Sequence, residues 1–181
     1  DCIVRPDFVA AHRRLAEPNW FVTGNRVLLS RDLTAKVLRE NLAPEAWSGV
    51  RWLSERFHGG VNRLSGLLNL QLGPLRRLRQ GMWEGARSCN LAIWRSDLDR
   101  VDGFDADYSG WGKEDSDIIA RLLHAGVRRK DGMFATGVIH LWHPEADRSR
   151  LIENERKLAE VTEGDRVRAR RGLSSLQSIV A

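Results

Sequence analysis

Cysteine is nearly absent. The 181 residues hold two, Cys2 and Cys89, too few for a disulfide framework and without the CxxC spacing of a zinc or redox motif. A reduced, cytoplasmic setting fits that scarcity. Long apolar runs are missing as well: nothing approaches the roughly 18–20 unbroken apolar residues of a membrane span, and no charged-then-apolar leader is read at the front. Internal repeats and low-complexity tracts are absent. Lysine is scarce, 4 of the 29 basic residues, so the other 25 are arginine.

What remains is ordinary globular usage, 42% hydrophobic and 29% charged, which excludes wholesale disorder. A chain of this length buries roughly 70% of its unfolded surface, enough for a core without staples. The size suits one domain, or one large half of a two-lobed enzyme. A net charge of +5 and a pI near 9.9 admit two explanations, anionic partners held by bidentate arginines or a solvated basic surface. A nucleic-acid binder is one alternative these numbers raise. No nucleic-acid motif accompanies them and the basic residues form no single stripe, so no nucleic acid is expected.

Along the chain, residues 6–16 predict a helix opened by Pro6, and the β-branched, apolar run 20–29 a strand. Residues 32–80 predict helices: Trp47, Val50, Leu53 and Phe57 at helical spacing, then Val61, Leu64, Leu67, Leu68 and Leu72 up to Gly73-Pro74. Cys89 to Trp94 reads as a short strand, Ser96 to Val101 as a helical turn, and Glu114 to Ala125 as a helix stopped by Gly126. Val127 to His143 reads as extended and Pro144 to Glu160 as a polar helix. From Gly164 a basic tail follows, loose toward its end. This order is α/β with few strands, an incomplete sheet with flanking helices.

Two clusters carry chemistry. Trp111-Gly112-Lys113-Glu114-Asp115-Ser116-Asp117 sets an aromatic and three carboxylates at a helix start. Acids there complement the macrodipole and cap free N–H groups. The same set also suits a sugar, the ring covering C–H faces, the carboxylates accepting hydroxyls, and one acting as general base. His140 and His143, three apart, share a metal only if the chain bends, as Trp142-His143-Pro144 suggests; satisfied ordinary histidines are the other explanation.

Together these pieces resemble the C-terminal part of a GT-A fold family-two inverting glycosyltransferase, similar to the C-terminal region of beta-1,4-galactosyltransferases and chondroitin-type polymerases. Asp1-Cys2-Ile3-Val4-Arg5-Pro6-Asp7-Phe8 resembles the stretch after a D-x-D motif, with Asp1 as its last Asp. Cys89-Asn90-Leu91-Ala92 resembles the family's G/C-N-x-A strand, 111–117 its W-G-G-E-D motif, and His140 with His143 its late metal-binding segment. The resemblance implies metal-dependent, inverting transfer from a nucleotide-sugar to a glycan or lipid-linked acceptor. Asp115 is then the catalytic base, and Trp111, Gly112, Glu114 and Asn90 bind acceptor. Asp1, His140 and His143 hold Mn²⁺ or Mg²⁺. Lys113 departs from the second glycine of the motif, and Ser116 stands where vertebrate galactosyltransferases carry an acid.

On this reading residues 1–163 form the acceptor and catalytic-base half, with a helical insertion at about 32–80, and 164–181 the basic tail. The donor-binding half would precede Asp1, so a fragment inactive by itself is expected. A non-catalytic carbohydrate-binding module is the second alternative. The insertion's aromatics, leucines and arginines suit peripheral contact with the inner face of a membrane.

Overall fold

Two small mixed sheets make up the strands, and the chain passes between them four times. In the computed structural model, which describes residues 1–175, β1 (Cys2–Ile3), β6 (Val138–His140) and β3 (Arg26–Leu28) form one sheet in that order. β4 (Leu91–Ala92), β2 (Trp20–Thr23) and β5 (Arg128–Asp131) form the other. β2 runs parallel to β5 and β3 parallel to β6, with β1 and β4 as antiparallel neighbours. Residues 20–29, expected as one strand, are therefore two strands in different sheets. The break falls at Gly24, where any Cβ would collide with the side chains of Asn90 and Thr136.

A kinked backbone leaves polar groups without ladder partners, and buried ones must be bonded. Asn90 does this at the break. Gly24 N–H donates to its carbonyl at 2.9 Å, and its Nδ2 donates to the carbonyls of Asn25 (2.8 Å) and Thr136. Its Oδ1 meets His12 Nε2 at 3.0 Å. The side chain is 1% exposed.

The first core lies on the β1–β6–β3 sheet. Helices α2 (Arg31–Arg39) and α3 (Gly49–Phe57) are capped by the Ser30 and Ser48 hydroxyls, which accept from Leu33 and Arg51 N–H, a contribution of about 1 kcal/mol each. They bury Leu33, Val37 and Trp52 against Val27, Leu29 and Ile139. The helix expected over 61–72 is absent. Val61 instead bridges Leu29, and 65–67 is one 3-10 turn. There the backbone of Gly66 lies so close to Gly137 that a side chain on Gly137 would strike it. Leu64 and Leu67 still pack on the core, so their spacing records burial, not helix. On its outer side α3 leaves Val50, Leu53 and Phe57 81%, 61% and 88% exposed.

The second core joins the other sheet to α4 (Arg95–Arg100) and α5 (Glu114–His124), with Phe21, Val101, Ile118, Ile119, Leu122 and Val127 fully buried. Gly126, at φ +81°, ends α5 as predicted. α1 (Phe8–Leu15) follows Pro6 as predicted, but α6 starts at Leu151 and runs to Thr162, with no regular structure over 144–150.

Arginine is not simply a solvated coat. Arg76, Arg121 and Arg129 are buried. Arg76 donates to the carbonyls of Leu70, Asp131 and Met133, and Arg129 to those of Met82 and Glu84 and to the Thr23 hydroxyl. Guanidinium forks thus satisfy irregular backbone that has no ladder partner. The tail over 164–175 is tied down, Ala169 N–H to Val101 O at 3.0 Å and Ser174 N–H to Asp102 at 2.8 Å; its expected loose end falls at 176–181, outside the described residues.

Candidate active site

Register fixes one wall of the site. Cys2 and Leu28 both pair with His140, and Arg26 pairs with Val138. Side chains alternate along a strand, so Cys2, His140 and Arg26 share one face of the sheet. Ile3, Ile139 and Val27 lie on the other, against the α2–α3 core.

At the edge of this polar face the three expected metal ligands come together. The His140 and His143 rings are 5.2 Å apart, and His143 Nε2 is 3.6 Å from an Asp1 carboxylate oxygen. Leu141 N–H donates to the Asp1 carbonyl at 2.8 Å, holding β1 against β6. Burial, then the nearby Arg26 charge and His143, push the His140 pKa down, which favours the neutral imidazole a cation needs. One carboxylate and two imidazoles suit Mn²⁺ or Mg²⁺ in donor type. They do not close into a ready ligand set: among the described residues no three His, Cys, Asp or Glu side chains do.

The second group of candidate residues is the loop that starts α5. Gly110 and Gly112 have φ of +70° and +101°, and Lys113 takes φ +80° as the N-cap, so the departing lysine holds a left-handed conformation that glycine would adopt more easily. Lys113 Nζ reaches Glu155 on α6 at 3.1 Å, an ion pair within the fold. The fully buried Asn154, also on α6, donates to the carbonyls of Gly112 (3.0 Å) and Ser109 (3.1 Å). Trp111 is 40% exposed, with the Arg148 guanidinium 4.6 Å from its ring centroid.

Within this loop Glu114 Oε2 and Asp115 Oδ1 are buried, and neither has a hydrogen-bond partner among the described residues. Buried acceptors are ordinarily bonded, so two unpaired carboxylate oxygens on adjacent residues present strong acceptors to hydroxyl donors. Simple helix capping does not account for them, since α5 has no side-chain cap bond.

Cys89 is linked electrostatically to both groups: Cys2 and Arg26 on one side, Asp115 on the other. The influence of Cys2 comes first, and although burial opposes it, Arg26 helps bring the Cys89 pKa down to about 6. Cys89 thus lies within electrostatic reach of Asp115 and of Arg26, and Arg26 in turn acts on His140. Asn90 is placed elsewhere. Expected as an acceptor-binding residue, it is 1% exposed with both side-chain polar atoms engaged at the strand break, so that expectation is corrected: the Asn is required by the kink. Sequence reading missed Arg26 and Asn154. Arg26 follows from strand register, and Asn154 carried only the weak signal of a polar residue inside a helix.

Comparison with known proteins covers part of this region. Residues 79–144 match the family model described as the N-terminal domain of galactosyltransferase. Human (Homo sapiens) chondroitin sulfate synthase 3 is 33% identical over 66 residues, 36% of this chain and 7% of that protein. Human chondroitin sulfate N-acetylgalactosaminyltransferase 1 is 31% identical over 81 residues, 43% of this chain and 14% of that protein. The chain thus aligns with a small part of these relatives' length. The matched stretch holds Cys89, the whole 111–117 loop and both histidines, and it is similar to a region of glycosyltransferases. Within that class it is galactosyltransferase-like, and the mixed α/β architecture is consistent with part of a GT-A-like domain.

Proposed function

We propose that residues 1–163 form the acceptor and catalytic-base half of an inverting, metal-dependent glycosyltransferase, which moves a sugar from a nucleotide-sugar to a glycan or lipid-linked acceptor. The observation that carries this is the pair of buried, unpaired oxygens on Glu114 and Asp115. Glu114 accepts acceptor hydroxyls and Trp111 covers a sugar face. Asp115 takes the proton of the attacking hydroxyl, because an alcohol is a poor nucleophile until deprotonated. The alkoxide displaces the nucleotide diphosphate from the far side of the anomeric carbon, which inverts it. Asp1, His140 and His143 would hold Mn²⁺ or Mg²⁺, whose charge stabilises the departing diphosphate when bound. The relatives' names concern chondroitin sulfate, a glycan, in support of a glycan acceptor.

Joined to its donor-binding half, the chain is expected to transfer sugar in a screen of nucleotide-sugars and glycan acceptors with Mn²⁺. EDTA should abolish transfer and Mn²⁺ or Mg²⁺ restore it. Glycan binding that persists without any transfer would instead establish the carbohydrate-binding module.

A cytoplasmic enzyme acting on lipid-linked acceptors would also meet a bilayer surface. No helix among the described residues is long and apolar enough to cross a membrane. The exposed Val50, Leu53 and Phe57 of α3, with Arg56 beside them, suit peripheral contact. The chain should float with vesicles containing phosphatidylglycerol and not with phosphatidylcholine alone, and Phe57→Asp should abolish flotation. Equal recovery with both lipids would refute the contact.

A further inference from the structure

We propose that Asn154 is a positioning residue for the acceptor loop, and that one face of α6 sets Trp111, Glu114 and Asp115 in place by gripping the backbone beside them. The Asn154 side chain is fully buried. Its Nδ2 donates to the carbonyls of Ser109 (3.1 Å), Trp111 (3.4 Å) and Gly112 (3.0 Å). Three acceptors on that side fix which end of the amide is the nitrogen. Its Oδ1 is buried with no hydrogen-bond partner among the described residues. Buried amides ordinarily bond through both ends, and an apolar side chain would fill a helix interior without that cost. What the asparagine supplies here is its N–H groups, and the bonds they make are to the loop.

Residues at helical spacing along the same side of α6 hold the same segment. Leu151 Cδ1 lies 3.4 Å from where a Cβ on Gly112 would stand, and the side chain of Arg150, which precedes α6, lies equally near Gly110. Glu155 pairs with Lys113 at 3.1 Å. One turn further on, Lys157 Nζ donates to the Asp107 carbonyl at 2.7 Å. The helix is itself anchored, with Leu158 and Val161 buried.

The loop needs an external hold. Gly110 and Gly112 are free to take other conformations, and Lys113 holds a left-handed one. Glu114 and Asp115 follow directly, so a shift of this backbone carries both carboxylates with it. Misplacing a reacting group by about 1 Å costs about 10²-fold in rate. Asn154 acts through the loop and not on substrate. The kinetic half of this proposal rests on the transfer reading; the conformational half does not.

The first readout is amide hydrogen exchange of the 181-residue chain. Asn154→Ala should speed exchange across 109–117 about tenfold or more, with α2 and α3 unchanged. Leu158→Ala, which opens a cavity beside α6 but removes no hydrogen bond to the loop, should leave that segment within about twofold of the wild type. Glu155→Gln, at an exposed side chain, should speed it severalfold, and it decides the matter if Asn154→Ala does not fold. The second readout uses the chain joined to its donor-binding half. There Asn154→Ala should lower acceptor kcat/KM about 10²-fold and leave donor KM within about twofold. Exchange at the wild-type rate in folded Asn154→Ala, equal acceleration by Leu158→Ala, no acceleration by Glu155→Gln, or unchanged acceptor kinetics with a loosened loop would each overturn the proposal. A joined wild-type enzyme that transfers no sugar counts against the transfer reading alone, because exchange still decides whether α6 grips the loop.

Discussion

Asp115→Asn should lower sugar transfer about 10³-fold while acceptor affinity stays within a few-fold, since general-base catalysis contributes roughly 10²–10⁴ and 10³ corresponds to about 4 kcal/mol. The substitution preserves shape and one acceptor oxygen but removes the capacity to take a proton. α5 should remain intact, because no side chain caps it and Asp115 makes no bond there through its buried oxygen. Glu114→Gln provides the contrast. It keeps a hydrogen-bonding group on the acceptor wall, so its effect should fall mainly on acceptor KM. Measuring kcat and KM for both variants distinguishes the roles. If Asp115→Asn transfers sugar at the wild-type rate, Asp115 is not the base.

The contrast between these neighbouring carboxylates also shows where sequence is informative. The 111–117 cluster was legible because aromatic, glycine and acid stand together in one short run. Its support was not: Asn154 lies 42 positions from Gly112, whose carbonyl it holds, and its effect exists only once α6 has packed on α5. The strand break at Gly24 was hidden for a similar reason. Trp20 to Leu29 has the apolar, β-branched composition of one strand, and what divides it is Asn90 arriving from far along the chain. Periodicity over 61–72 identified Val61, Leu64 and Leu67 as core-facing, missed that Leu68 is exposed, and read their backbone wrongly, because a segment pressed against Gly137 shows side chains to the core without being helical. The meeting of Asp1, His140 and His143 was legible as a resemblance; the antiparallel pairing of β1 with β6 supplies its physical cause.

The largest stability effect should come from one turn inside α5, at Asp117. This side chain is fully buried and accepts from Arg121 Nε at 2.7 Å, Arg166 at 3.0 Å and the Tyr108 hydroxyl at 3.3 Å. Arg121, equally buried, also donates to the carbonyls of Val101 and Gly103. Removing one partner of a buried pair strands the other charge, at about 3–5 kcal/mol. Asp117→Ala should therefore lower the urea-unfolding free energy by that amount, whereas Ser116→Ala beside it should change it by less than about 0.5 kcal/mol.

Arg166 extends the same network to Asp105. Burial alone would raise the Asp105 pKa, but the N–H groups of Arg170, Asp107 and Arg171 and the Arg166 guanidinium outweigh it and hold it at about 2. That lies below the roughly 3.9 of an unfolded aspartate, so the unfolded chain binds the proton more readily. The stabilisation is complete above about pH 5 and is lost as the pH falls through about 4 toward 2. Urea titrations across that range should show stability falling in the wild type. Asp105→Asn should start lower at pH 6 and lose less on acidification. An Asp105→Asn chain whose acid limb is as steep as that of the wild type would show that this carboxylate does not govern it.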